Sequence, residues 1–461
     1  MPPAPLRSAT ATGDAASANA AAGTAPLHIK GARLLDPARH TDGVRDLFAA
    51  DGVLVERLSP AQRAAARVID ASGLVAAPGF IDLQARFGEP GNSARETFAT
   101  GSRAAAAGGF TTVVAMPDTS PPADNVGTLQ LIRGIAARDA VVRVLPTGTI
   151  TLGAKGEKLA PIGSLKAAGA TAVTDALGGL QNNEIMRRAL EYASMFGLVV
   201  LDHCQDNSMT AGAVMHEGEV STRLGLRGFP GAAEAIVVAS DILLARQSGA
   251  RVHLQHITSA DSVYLIAHAK SFSEQKIPVT AEVSANHLLL TDAALDTYDT
   301  NLKLAAPLRA ERDRLALAEG LRAGVIDAIV SDHSPVTPTE KDREFDLAPF
   351  GAIGFETAFA TALTALTALF GAAEALRLTV RKLTSGPAGV LGLHGAETPN
   401  LGTLAAGAPA DVVLFDPNEV WTPNENSFVS RSRNCAVLGR PLTGRVKLTV
   451  AGGKIVFDAL G

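Results

Sequence analysis

From residue 74 onward, short apolar runs alternate with longer stretches in which apolar and charged residues interleave. The runs are 74–83, 111–116, 141–150, 170–174, 198–201, 252–257, 278–283 and 328–330, eight in all. Each has the length of a strand and few polar residues, the pattern of a strand buried on both faces. Amphipathic helices are predicted between several of them, at 184–196, 262–271 and 312–322, the last with Leu315, Leu317 and Leu321 set among charges. Eight buried runs with intervening helices predict a (β/α)8 TIM-type barrel. An open doubly wound sheet is the alternative, but no glycine-rich dinucleotide turn follows the first run.

Both chain ends have a different texture. Leu27-His28-Ile29, Leu34-Leu35, Val53-Leu54-Val55 and Val68-Ile69 read as short strands, with Asp51-Gly52 as a hairpin turn. Strands recur at 410–416, 446–450 and 454–457, the last two joined by Gly452-Gly453. Shared character at the two ends predicts one small β-sandwich module, assembled from both termini and flanking the barrel. The expected organisation is a disordered tail at 1–25, module at 26–73, barrel at 74–393 and module again at 394–461.

Composition narrows the function classes. Of 461 residues, 47% are hydrophobic and 19% charged, enough apolar material for a large core. No apolar run approaches the ~18–20 residues of a membrane span. The net charge of -5 lacks the basic footprint of a nucleic-acid binder. Two cysteines, Cys204 and Cys435, make a disulfide framework implausible, so a cytoplasmic location is expected. The first 25 residues are rich in Ala, Thr, Ser and Pro, with Arg7 their only basic residue and no apolar signal core.

In a barrel of this kind, chemistry sits where strands end. Those ends supply Gln84 and Arg86, Asp175 and Ala176, His203, His256 and Asp332. A single histidine after an apolar run is usually a hydrogen-bonded structural residue. Two histidines and an aspartate on separate strand ends are also a natural Zn²⁺ ligand set.

Here the chain resembles the dihydroorotases of the amidohydrolase superfamily, over nearly everything after the tail. The resemblance rests on motifs in order: Pro78-Gly79-Phe80-Ile81-Asp82 with Glu89-Pro90-Gly91, Met116-Pro117-Asp118, His203-Cys204-Gln205-Asp206 and His256-Ile257-Thr258-Ser259. Glu282-Val283 with His287, Pro307-Leu308-Arg309, Asp332-His333-Ser334-Pro335 and Phe350-Gly351-Ala352-Ile353-Gly354-Phe355-Glu356-Thr357 complete it. It implies hydrolysis of a cyclic amide, dihydroorotate, with zinc supplying hydroxide and polarising the carbonyl. It also places metal ligands at His203 and His256, with Asp332 as ligand and general acid/base.

The departures cluster in the same pocket. Gln84 and Arg86 replace the two first-strand histidines, and Ala176 stands at the metal-bridging carboxylate. Gly88 replaces the arginine that binds the substrate carboxylate, Asp118 an asparagine, Ala305 another asparagine and Val336 a histidine. A fixed cation at Arg86 both removes a ligand and repels a dication. The resemblance is therefore strongest to a non-catalytic dihydroorotase-like chain that accompanies aspartate transcarbamoylase, with Asp332 vestigial and no cofactor expected. Its partner would be the transcarbamoylase, in a hetero-oligomer or homodimer. The alternatives are a hydrolase with one zinc at His203, His256 and Asp332, and a small-molecule sensing module. An Arg86–Asp332 ion pair is expected in the vacated metal space. Cys204 reads as a buried small hydrophobe, 340–344 as a solvated loop and the helix around 357–369 as buried packing.

Overall fold

The computed structural model describes residues 24–272, 276–393 and 399–460. The expected tail lies outside them except for Thr24 and Ala25.

Eight parallel strands form the barrel: Phe80–Ala85, Phe110–Ala115, Arg143–Pro146, Ala172–Val173, Val199–His203, Val252–Gln255, Val279–Ser284 and Ala328–Val330. They are called the first to eighth strands below. Isolated bridges Gly148↔Val173 and Ala85↔His333 join the two hydrogen-bonded groups of strands and close the ring. The three predicted helices are present as Asn183–Ser194, Ala260–Ser271 and Glu311–Arg322. Asn182 and Ser259 cap the first two by accepting backbone N–H bonds.

The run at 74–83 is two strands, where the sequence predicts one. Val75–Pro78 pairs with Leu27–Asp36 and Val412–Trp421 of the module, whereas Phe80–Ala85 enters the barrel. Both halves are fully buried, so the apolar pattern runs through the junction without a break. Gly79 makes the junction. A Cβ there would lie 2.1 Å from Thr111 Oγ1. Gly79→Ala is expected to cost about 1–3 kcal/mol through this overlap, read as a lower denaturation midpoint; an unchanged midpoint would contradict the packing argument.

The module contains eight described strands in one hydrogen-bonded network, ordered from Lys454–Asp458 through Leu442–Ala451, Val412–Trp421, Val75–Pro78, Leu27–Asp36 and Thr41–Ala50 to Val53–Val55. Arg67–Asp70 pairs with Leu27–Asp36 off that path. The network encloses its own core, including Ile29, Leu34, Leu54, Ile69, Leu414 and Leu448. Phe80, Phe359 and Phe415 then weld barrel, outer helix and module together, with ring centroids 4.5–6.2 Å apart. The helix at Ala358–Phe370 is buried along most of its length, as the sequence predicts.

The segment at 340–344 is an exposed loop at 342–344, as its charges predict, but its first two residues are held in the fold. Thr337 caps a short helix, Pro338–Lys341, and Glu340 pairs with Arg95 at 2.5 Å. Lys341 is buried and donates to Thr300 O at 2.6 Å and Pro349 O at 3.0 Å. Burial followed by neighbouring Lys303 pushes its pKa down to about 7. One cation of an otherwise exposed charge run can be interior when backbone carbonyls receive it.

Candidate active site

His203 and His256 end the fifth strand and follow the sixth, and both are buried. Their Nδ1 atoms lie 3.0 Å apart. His203 Nε2 lies 3.0 Å from Gln205 Oε1, and His256 Nε2 lies 3.1 Å from Asp332 Oδ1. Burial, then the charge of His256, pushes His203 down to about 3, so it is neutral at pH 7. Burial also opposes a charge on His256, but the charge and hydrogen bond of Asp332 prevail and its pKa rises. Burial likewise works against an ionised Asp332, and His256, then Arg86, reverse it and lower its pKa.

With His203 neutral and Gln205 presenting its oxygen, one arrangement satisfies every partner, with His256 donating from both ring nitrogens. Imidazolium His256 donates from Nε2 to Asp332 and from Nδ1 to His203. Neutral His203 accepts at Nδ1 and donates from Nε2 to Gln205. Gln205 in turn donates to Asn207 Oδ1 and Thr210 Oγ1, at 3.0 and 2.9 Å. All four imidazole nitrogens are thereby engaged within the protein.

Arg86 does not form the expected pair with Asp332. Its Nη1 instead meets Asp118 Oδ2 at 3.2 Å, with the two side chains 13% and 29% exposed. Asp332 is taken by His256, and Asp118 arrives on the loop after the second strand. Two sequence departures therefore compensate each other: the cation gained at Arg86 is matched by the anion gained at Asp118. Arg86 Nε and Nη2 are buried without a protein acceptor.

The other replaced positions also have structural occupations. Gln84 accepts a hydrogen bond from Gln255 Nε2 across the barrel. Asp175 accepts N–H bonds from Ile150 and Thr151, at 2.8 and 2.9 Å, which pins the third-strand loop to the fourth strand. Gly88 has φ +64, and a Cβ there would lie 2.7 Å from Asn92 O, so an arginine side chain would have no room without a shift of the turn. Val336 is buried and its N–H donates to Asn434 Oδ1 at 3.1 Å. Ala305 lines a cavity of about 440 Å³ at the mouth, with Gln205, Phe229, Lys303 and Phe350.

The backbone at three flagged positions is unusual. Ala176, His256 and Asp332 have φ of 53°, 54° and 51°, a left-handed conformation that costs a residue with a Cβ roughly 1–2 kcal/mol. Thus the strained strand-end geometry is kept at Ala176 even though its side chain can ligate nothing.

These residues do not fit a metal centre. Gln84, Arg86 and Ala176 supply no carboxylate or imidazole, and His256 and Asp332 are committed to each other. Among the described residues, one set brings three His, Cys, Asp or Glu donors within 4.8 Å of one another: Asp202, Cys204 and Asp241. It lies between the fifth strand and the helix Ala232–Ser248, and two of its members flank His203 in the chain. Burial pushes Asp202 up to about 7 and Asp241 well above the ordinary carboxylate range. Cys204 is buried and free, consistent with a packing role.

Comparison with known proteins decides the family. A dihydroorotase from Pelotomaculum thermopropionicum is 46% identical over 432 residues, 94% of this chain and 98% of that one. The chain belongs to the dihydroorotase family. A dihydroorotase from Solibacter usitatus is 42% identical, with the same coverage of 94% and 98%. The family profile described as dihydro-orotase-like matches residues 73–262. An L-hydantoinase from Arthrobacter aurescens superposes with a TM-score of 0.81 at 22% identity, covering 94% of this chain and 96% of that one. This likeness supports the amidohydrolase barrel-plus-sandwich fold. Among the described residues, no helix is long and apolar enough to cross a membrane.

Two residues that the sequence supplies only as members of motifs have structural roles in the pocket. His287 accepts from Ser284 and donates to Ala306 O at 3.0 Å, and burial pushes it down to about 4. It anchors the 305–309 segment. Arg309, matched only as part of a motif, is a buried cation joining Thr258, Phe229, His216 and Glu234. The partners of Arg309 come from loops 51–93 residues away, so local spacing does not reveal its role.

One nearby carboxyl gives a pH test. Glu356 receives N–H bonds from Val429 and Ser430, yet burial raises its pKa to about 7. A raised acid binds a proton in the folded state that the unfolded state has released. Relative to Glu356→Gln, the parent should therefore lose stability as pH rises from about 4.5 to 7 and no further above it. A difference between the two midpoints that stays flat over this window would refute the assignment.

Proposed function

We propose that this chain is a catalytically inactive dihydroorotase-like protein of pyrimidine biosynthesis, acting as a cytoplasmic structural subunit for assembly of aspartate transcarbamoylase. The inactivity is supported by the Arg86–Asp118 pair, 3.2 Å apart, with Arg86 at a position where the resemblance expects a first-strand metal ligand. The assembly role is supported by the resemblance to chains of that kind. A barrel welded to its module by buried aromatics would suit a rigid scaffold.

A reduced one-zinc hydrolase at His203, His256 and Asp332 is the second reading. It is favoured by the convergence of His203, His256 and Asp332, linked by contacts of 3.0 and 3.1 Å. The readings part on two measurements. Inactivity requires no dihydroorotate hydrolysis by the zinc-supplemented chain. The assembly role requires a stable complex with the transcarbamoylase by size-exclusion chromatography; two separate peaks at micromolar concentrations would remove it.

A further inference from the structure

At the opposite end of the barrel from the histidines, a cavity of about 380 Å³ opens between the starts of the seventh and eighth strands and two helix ends. Its walls include Thr280, Arg322, Asp327, Arg381, Lys382 and Ser385. We propose that this cleft binds a phosphate dianion, free or as a phosphomonoester, through Arg381, Arg322 and the buried ammonium of Lys382.

Charge is the first support. Asp327 is already engaged, receiving Lys270 Nζ at 2.6 Å and the Ala281 N–H at 2.8 Å. Arg322 reaches Glu319 on its own helix, an exposed pair that water and salt screen. Lys270, Arg322, Arg381 and Lys382 thus stand against two carboxylates, in a chain whose net charge is -5. Local cation excess is not a reflection of overall basicity.

Lys382 is the second support. Its side chain is buried, and its Nζ donates to one carbonyl, Ile326 O. The other buried lysines each hold two: Lys303 donates to Phe345 O and Asp346 O, and Lys341 to Thr300 O and Pro349 O. An ammonium has three donors, and leaving them unmet in the interior is costly. Burial accordingly pushes its pKa down to about 8. Helix-dipole compensation accounts for basic residues in the last turns of Glu311–Arg322 and Ala372–Leu383. It does not account for an under-satisfied ammonium beside an open cavity.

A phosphate oxygen at Lys382 would supply the missing acceptor, while the two arginines would take the remaining charge in the geometry guanidinium groups favour. The back wall is backbone: a Cβ at Gly386 would lie 2.3 Å from Asp327 O.

The test is calorimetric titration of the full chain with inorganic phosphate and with ribose 5-phosphate, against sodium chloride at matched ionic strength. Saturable phosphate binding is expected, at least tenfold weaker in Arg381→Ala and Lys382→Met and unchanged in Arg57→Ala. Arg381 is exposed, so its replacement keeps the fold intact even if Lys382→Met does not. Tighter binding of ribose 5-phosphate would assign a phosphomonoester, and binding of inorganic phosphate alone the free anion. No saturable heat with either, or equal affinity in Arg381→Ala, would overturn the site.

Discussion

Purified chain supplied with zinc and dihydroorotate is expected to show no turnover above a zinc-only blank, and to retain far less than one zinc per chain after dialysis. The expectation follows from charge as well as ligand count. Arg86 removes a ligand and puts a cation in its place, with Asp118 at 3.2 Å offsetting part of that charge. Arg86 places such a cation at the mouth, and the His256–Asp332 pair at 3.1 Å withholds two of the remaining donors. The triple variant Gln84→His, Arg86→His, Ala176→Asp removes the cation and adds three donors, and should raise retained zinc at least tenfold. Metal analysis reads both proteins. Stoichiometric zinc in the parent, with turnover abolished by His203→Ala, would establish the one-metal reading instead.

Arg309→Leu is expected to destabilise the chain by about 3–5 kcal/mol, because it strips the partner from a buried carboxylate. Arg309 Nε donates to Thr258 Oγ1 at 2.9 Å and Nη1 to Phe229 O at 2.7 Å, while Nη2 lies 3.5 Å from Glu234 Oε2. The guanidinium also sits 5.2 Å over the Phe229 ring. One planar group thus joins the loops after the fifth, sixth and seventh strands. Arg309→Lys should recover only part of the loss, since an ammonium cannot reproduce the planar fork. Urea unfolding measures both, and a loss under about 1 kcal/mol for Arg309→Leu would show that the loops hold themselves.

Legibility in the sequence followed periodicity. The eight barrel runs were visible because parallel strands covered on both faces are continuously apolar. The same property hid the junction at Gly79, where one apolar run serves two sheets. In the 340–344 segment the charges rightly imply solvent at 342–344, but Lys341 finds carbonyls at 300 and 349 that no local pattern announces. At the mouth, the identities of the replaced residues were legible and their partners were not.

The sequence alone determined which chemical groups stand at the strand ends, and so which are missing: no histidine at 84 or 86 and no carboxylate at 176. Tertiary structure decided what the remaining groups do. Arg86 had two candidate carboxylates on different strand ends, Asp118 and Asp332, and only the packed barrel shows that Asp118 receives it while His256 claims Asp332. An ion pair depends on separations of a few ångströms between residues far apart along the chain. Residue type fixes the charges, but the fold fixes those separations.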